Sequence, residues 1–191
     1  MTIGSSETGA LRCRLVAERA LTEAQEAAIR QLLVAAFPRS AAIFSTATYY
    51  FARPDHRLWL ETPDGAIVAH LDFEQRRIAI GATELLVAGV GEVATHPDYQ
   101  GRGLGRRLMA ELRTILREAC PVDFGFLECR EAVVGFYASV GWRRIVQTVR
   151  EQEVETAAWI EYNGPTLILP ARRTFEEWPH EGLIDLRGMP W

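Results

Sequence analysis

Apolar residues recur along this chain at two spacings, every second position and every third or fourth. The changes between them mark out strands and helices. Arg12-Cys-Arg-Leu-Val-Ala-Glu18 alternates polar with apolar and predicts a first strand. Thr22 stands three residues before Gln25, as in a capping box, and Leu21, Ile29, Leu32, Leu33 and Phe37 then mark a helix that Pro38 ends. Ala41 to Phe51 is dense in apolar and aromatic residues and reads either as a short core helix or as a substrate-side loop. Leu58 to Leu60 is a short strand, Pro63-Asp-Gly65 a turn and Ala66 to Arg76 the returning strand. Ile80 to Thr95 pairs next, with Gly81 at the turn. Its end, Val87 to Thr95, is apolar and partly β-branched, which suits burial. His96-Pro97-Asp98 stops it, because proline lacks a ladder donor and holds the preceding residue extended.

Helical spacing resumes with Leu104, Leu108, Leu112, Ile115 and Leu116. Asp123 to Glu128 is a further strand, and Glu131 to Val140 a second amphipathic helix with Gly141 as its cap. Trp142 to Val149 and Thr166 to Leu169 are the closing strands. The tail, Glu176 to Trp191, contains Pro179, Gly182, Gly188 and Pro190 and is expected to be irregular.

The stretch between strand and long helix carries chemistry. Gln100-Gly-Arg-Gly103-Leu-Gly105 places glycines on alternate positions, so backbone N–H groups can turn inward unobstructed. A helix N-terminus has unpaired N–H groups and a positive dipole end, which together attract anions. Arg102, Arg106 and Arg107 crowd that turn. Each such cation costs roughly 0.3–1 kcal/mol against the dipole, unless a multiply charged anion sits among them. No Gly-Lys-Ser/Thr closes a Walker loop, and the third glycine comes one residue early for a dinucleotide fingerprint.

With 191 residues and a net charge of −4, the chain is expected to form one domain, and its charge argues against general nucleic-acid binding. No apolar run reaches the ~20 residues of a membrane span. Residues 1–10 lack the basic and apolar regions of a signal peptide and are expected to be disordered. Cys13, Cys120 and Cys129 do not cluster, which fits reduced thiols in the cytoplasm. His56, His70, His96 and His180 are scattered, so no metal site is expected.

Gln100-Gly-Arg-Gly103-Leu-Gly105, following a strand that ends in proline, resembles the coenzyme A loop of the GNAT acyltransferases. Phe136-Tyr-Ala-Ser-Val-Gly-Trp142 is a second resemblance, in the expected order. Arg130 departs from the asparagine often found six residues before such a Phe. More narrowly, Ala69 to Arg77, the glycines at 89 and 91, and the ending Asp185-Leu-Arg187-Gly-Met-Pro-Trp191 are similar to the aminoglycoside 2′-N-acetyltransferases. Glu177-Trp-Pro through Leu183-Ile-Asp185 resembles nodulation-type N-acyltransferases. The resemblance implies an α/β (α+β) GNAT fold, a mixed, mostly antiparallel central sheet flanked by helices. It gives a single acyltransferase domain over 11–175 and a tail, 176–191, packed near the active site.

It also implies an acyl-CoA-dependent N-acyltransferase, with acetyl-CoA as cosubstrate and a small-molecule amine, an aminosugar or aminoglycoside among the candidates, as acceptor. A longer-chain acyltransferase, a binding module without turnover and a homodimer stay open. By resemblance, Val93, Ala94 and Thr95 run along the pantetheine arm, and Gln100, Gly101, Arg102, Gly103, Leu104, Gly105 and Arg106 hold the pyrophosphate. Tyr137 would donate to the leaving thiolate, since a phenol is a suitable weak acid. The family's glutamate base aligns with Gly91, one residue from Glu92. One residue along a strand reverses the side chain's face, so Glu92 reaches the site only through a bulge, which Gly89 and Gly91 permit. Otherwise it is a charge on the opposite face. The terminal carboxylate of Trp191 is the other candidate base by resemblance; Glu84 and His70 are lesser ones.

Overall fold

The computed structural model describes residues 11–191, so the start expected to be disordered lies outside the described residues. The capping box at Thr22 forms as its spacing implies. Gln25 N–H donates to Thr22 Oγ1 at 3.2 Å and Thr22 N–H to Gln25 Oε1 at 3.0 Å. Two donors that would otherwise lack partners are thereby satisfied. Ahead of the box lies β1 (Arg12–Ala17), and the box opens α1 (Glu23–Ala36). Of the ambiguous Ala41 to Phe51 stretch only α2 (Ala41–Phe44) is helical; the aromatic remainder is loop.

The sheet is built on two long strands, β3 (Ile67–Ile80) and β4 (Thr83–Thr95), paired antiparallel along their length. One edge of β3 is shared. Its first half pairs with β2 (His56–Glu61), which also holds β1, and its last residues pair with β10 (Ile184–Asp185). On the far side β4 pairs in parallel with β5 (Phe124–Glu128), and β5 pairs with β9 (Thr166–Pro170). Between these strands come α3 (Leu104–Glu118) and α4 (Glu131–Ser139). The sheet is therefore mixed and mostly antiparallel, with helices against it, as expected from the sequence.

Three expectations need correction. The strand foreseen over Trp142 to Val149 is two strands, β6 (Arg143–Ile145) and β7 (Val149–Gln152). They are separate because β6 pairs with β9 while β7 crosses to β10 and to β8 (Trp159–Tyr162). The last of these was not foreseen, since Trp159 and Ile160 are both exposed and give no alternation. The tail is not wholly irregular: Ile184 and Asp185 fill the place between β3 and β7.

The amphipathic α3 covers one face, burying Leu104, Leu108, Met109, Leu112 and Leu116 against β2, β3 and β4. Each such side chain contributes about 1.5–3 kcal/mol. On the opposite face α1 packs around Trp59 and Ala94, and the tail's Trp178, Ile184 and Leu186 pack on Val87, Phe124 and Phe126. Among the described residues no single helix is long and apolar enough to cross a membrane.

Candidate active site

Two irregularities open the sheet. β4 and β5 pair only from Val87–Phe124 to Gly89–Phe126, although both strands run further. The second is a bulge. His70 pairs with Ala94 and Asp72 with Gly91, so Glu92 and Val93 together oppose Leu71. The extra residue is Glu92, at φ +44. It changes the parity of the strand. Val93 packs toward α3 and Ala94 toward α1, while Gly91 stays on the face of Asp72.

The bulge brings Glu92 to that face. Its Oε1 accepts from the Tyr50 N–H at 3.2 Å, and its carbonyl lies 3.1 Å from His70 Nδ1. Burial, with Asp72 nearby, pushes the Glu92 carboxyl up to about 8. Asp72 is itself pushed up to about 7 by burial, with Arg57 opposing. Arg57 is wholly buried and donates to Asp72 Oδ2 (2.7 Å), Glu18 Oε2 (2.7 Å), Thr48 O (2.7 Å) and Thr48 Oγ1 (2.8 Å). Burial and Arg57 lower His70 to about 3, so it is neutral and buttresses the bulge. Glu84 is exposed and paired with Arg187, away from this cluster.

On the α3 side, between the end of β4 and the helices α3 and α4, lies a cleft of about 510 Å³. Val93, Thr95, Gln100, Gly101, Gly103, Leu104, Gly105, Arg106 and Tyr137 line it. Tyr99, Val133 and Phe136 complete it and were not singled out in advance. Phe136 was visible beside Tyr137 in the Phe-Tyr motif; Tyr99 and Val133 carried no signal. Gly103 caps α3 at φ +76, in the left-handed region that favours glycine. The first bond into the helix runs from Arg107 N–H to the Gly103 carbonyl. The N–H groups of Leu104, Gly105 and Arg106 therefore have no intrahelical acceptor.

Two of the residues expected to meet the coenzyme through their backbone turn their side chains away from the cleft. The Ala94 side chain is on the α1 face, because the bulge reverses it. Arg102 stacks over the Tyr99 ring at 4.9 Å instead of lining the cleft. The arginine crowding is also partly structural, since Arg107 donates to the Leu11 carbonyl and Arg106 to the Ser139 carbonyl. Tyr137 is buried, and burial raises its phenol well above the usual range, so it holds its proton.

The tail lays Trp191 across the opposite face of β4. Its indole occupies the space where a Cβ on Gly89 would be, and its Nε1 donates to Glu74 Oε2 at 2.8 Å. Arg76 stacks on the ring at 4.6 Å and donates to the Met189 carbonyl at 2.6 Å. The Trp191 main-chain carbon would be 3.0 Å from a Cβ on Gly91, and Asp72 Oδ1 2.9 Å. Both glycines are thus required by close approach, and one of them frees room beside Glu92. Among the described residues no group of three or more His, Cys, Asp or Glu could hold a metal ion.

A sheet split between two parallel strands, a bulge at the split and a glycine-capped helix facing it define the GNAT acyltransferase fold. The GNAT family N-acetyltransferase YhbS of Escherichia coli, solved in complex with CoA, matches with a TM-score of 0.61 at 15% identity, over 95% of this chain and 93% of that one. A GNAT family acetyltransferase of Brucella melitensis, in complex with acetyl-CoA, matches with a TM-score of 0.55 at 20% identity, over 91% and 94%. Within that fold the chain belongs to the Nodulation protein A (NodA) family, whose model matches residues 8–190. Nodulation protein A of Rhizobium tropici is 30% identical over 144 residues, 72% of this chain and 73% of that protein. The Nodulation protein A of Methylobacterium nodulans is 27% identical over 205 aligned positions, 96% of this chain and 94% of its own. Of the two narrower resemblances in the sequence, family membership supports the nodulation-type one.

Proposed function

We propose that this chain is an N-acyltransferase that takes an acyl group from acyl-CoA and gives it to the primary amine of a small molecule, an aminosugar being the acceptor class favoured. The observation that carries this reading is the cleft itself. It joins free helix N-terminal N–H groups at one end to Tyr137 on its wall, and Val93 of its lining adjoins the bulge residue Glu92. The N–H groups around Gly103 to Arg106 suit a pyrophosphate. Val93 and Thr95 suit the pantetheine arm. The thioester supplies an electrophilic carbonyl. Once the acceptor's ammonium has lost a proton to solvent, the amine nitrogen bonds to that carbon and the carbon–sulfur bond breaks; one further proton must leave the nitrogen and one must meet the thiolate. Glu92, raised to about 8, is the base for the first. Tyr137, which keeps its proton, donates the second. Residues 11–175 act as the acyltransferase domain, and the tail, 176–191, floors the acceptor side.

A longer acyl group is the second reading, favoured by the apolar walls that Val93, Leu104, Val133 and Phe136 give the cleft. Thiol release from acetyl-CoA and from acyl-CoAs of increasing chain length, with glucosamine and other amines as acceptors, tests both. Turnover that rises with chain length selects the longer-chain enzyme. Acyl-CoA binding with no thiol release from any pair would reduce the protein to a binding module and end the catalytic reading.

A further inference from the structure

A second carboxyl pair lies beyond the end of the β4–β5 pairing, and the sequence gives no hint of it. Glu128 is the last residue of β5 and Glu151 lies on β7. The two are within hydrogen-bonding reach of each other. Glu151 is only 5% exposed, yet its Oε2 has no donor, and neither does Oε1 of Glu128. Among the described residues no cation pairs with either carboxylate; the nearby Arg144 is engaged with Glu131 at 2.8 Å. A buried carboxylate without a donor is costly, so such a site wants a proton or a cationic ligand.

Glu151 also lines a pocket of about 230 Å³, together with Tyr50, Phe51, Ile160 and Pro190, and Glu153 and Glu155 stand at the same pocket. It is tied to the candidate base, because the Tyr50 N–H is the donor to Glu92. It is tied to the tail, because the Pro190 carbonyl accepts from Ala52 N–H at 3.0 Å. An aromatic-walled pocket with a buried, unsatisfied carboxylate matches a polar ligand that carries an ammonium group.

We propose that Glu128 and Glu151 together bind the ammonium group of the acyl acceptor and thereby set which amines the enzyme takes. This rests on the acyl-transfer reading above. Without ligand the pair shares one proton, since burial raises both carboxyls and the charge of Glu151 raises Glu128 further. The other titratable groups around it are Tyr162, which donates to the Cys129 carbonyl at 3.4 Å, Cys129 itself, and Arg144. An arriving ammonium supplies three donors and a positive charge, so it displaces the shared proton to solvent.

The experiment measures glucosamine binding calorimetrically at pH 7.5 in phosphate and in Tris, with coenzyme A present, alongside steady-state thiol release. The wild type should release a proton on binding glucosamine. Glu151→Gln and Glu128→Gln should each lose that release and raise KM for glucosamine about tenfold or more. Their kcat should change far less, and their affinity for coenzyme A should not change. Each variant is near-isosteric, and either one that melts like the wild type suffices. Unchanged KM, or coenzyme A affinity that falls in step with it, would overturn the assignment. Glucosamine binding with proton release but no thiol release from any acyl-CoA would instead sink the acyl-transfer reading and leave the pair standing.

Discussion

Glu92 holds a backbone conformation that costs a non-glycine residue roughly 1–2 kcal/mol. The His70 ring and the Tyr50 N–H, at 3.1 and 3.2 Å, hold it there. Strain of this kind persists only where neighbours over-determine it. Glu92→Gln keeps both contacts and removes only the proposed base. It should cut kcat by about 10²–10⁴-fold and abolish the rise of kcat/KM with pH, which in the wild type should be centred near the Glu92 value of about 8. A variant that keeps the pH limb would pass the base role to another group. Arg57 is the second decisive residue. Arg57→Met should destabilise the fold by about 3–5 kcal/mol, because Asp72 and Glu18 lose their buried partner; urea unfolding at neutral pH measures it. Tyr137 and the loop glycines were legible in the sequence, since motif and spacing are local. Whether Glu92 faced the site was not, because the answer lay in the register of β3 against β4. Glu128 and Glu151 were invisible, since they lie on strands that are not neighbours in the sheet and nothing local in the sequence links them.

At the scale of elements, the helices and long strands followed from periodicity, and the caps and turns from the placing of Thr22, Gln25, Gly65, Gly81 and Gly141. Periodicity missed β8, whose four residues do not alternate in burial although its partner β7 lies just before it, and β10, a two-residue strand whose partners β3 and β7 are distant in sequence. The glycine-capped start of α3 makes the sharpest prediction. A Cβ on Gly103 would meet nothing, but the φ of +76 is strained for other residues. Gly103→Asp therefore adds modest strain, about 1 kcal/mol, and places a carboxylate at the proposed pyrophosphate site. The wild type should gain thermal stability from coenzyme A, and the variant should stay folded and lose that gain. Retained stabilisation would remove the ligand from this loop.

For the whole molecule, several acids are held above their ordinary range. Glu92 goes from 4.5 to about 8, and Glu128 is also raised by burial beside Glu151. The folded chain therefore keeps these protons at pH values where the unfolded chain has lost them. Stability is fullest below about pH 4.5 as far as Glu92 is concerned, and drains away as pH climbs toward about 8. Each extra proton held tilts the curve by about 1.4 kcal/mol per pH unit. Melting temperature should fall across that window, and Glu92→Gln should flatten the fall; an unchanged slope would mean that the carboxyl is solvated in solution.

The single additional residue at the bulge has a wider consequence. Upstream of it, the odd-numbered positions from Val87 to Gly91 face the tail and the acidic cluster; downstream, Val93 and Thr95 face the cleft. Drawing Glu92 into the regular ladder would swing Ala94 into the cleft and send its two neighbours against the first helix, whereas deleting Glu92 would leave Val93 and Ala94 on their present faces. One strand can thus serve two clients whose demands never meet on the same side chain, and substitutions that retune one need not disturb the other.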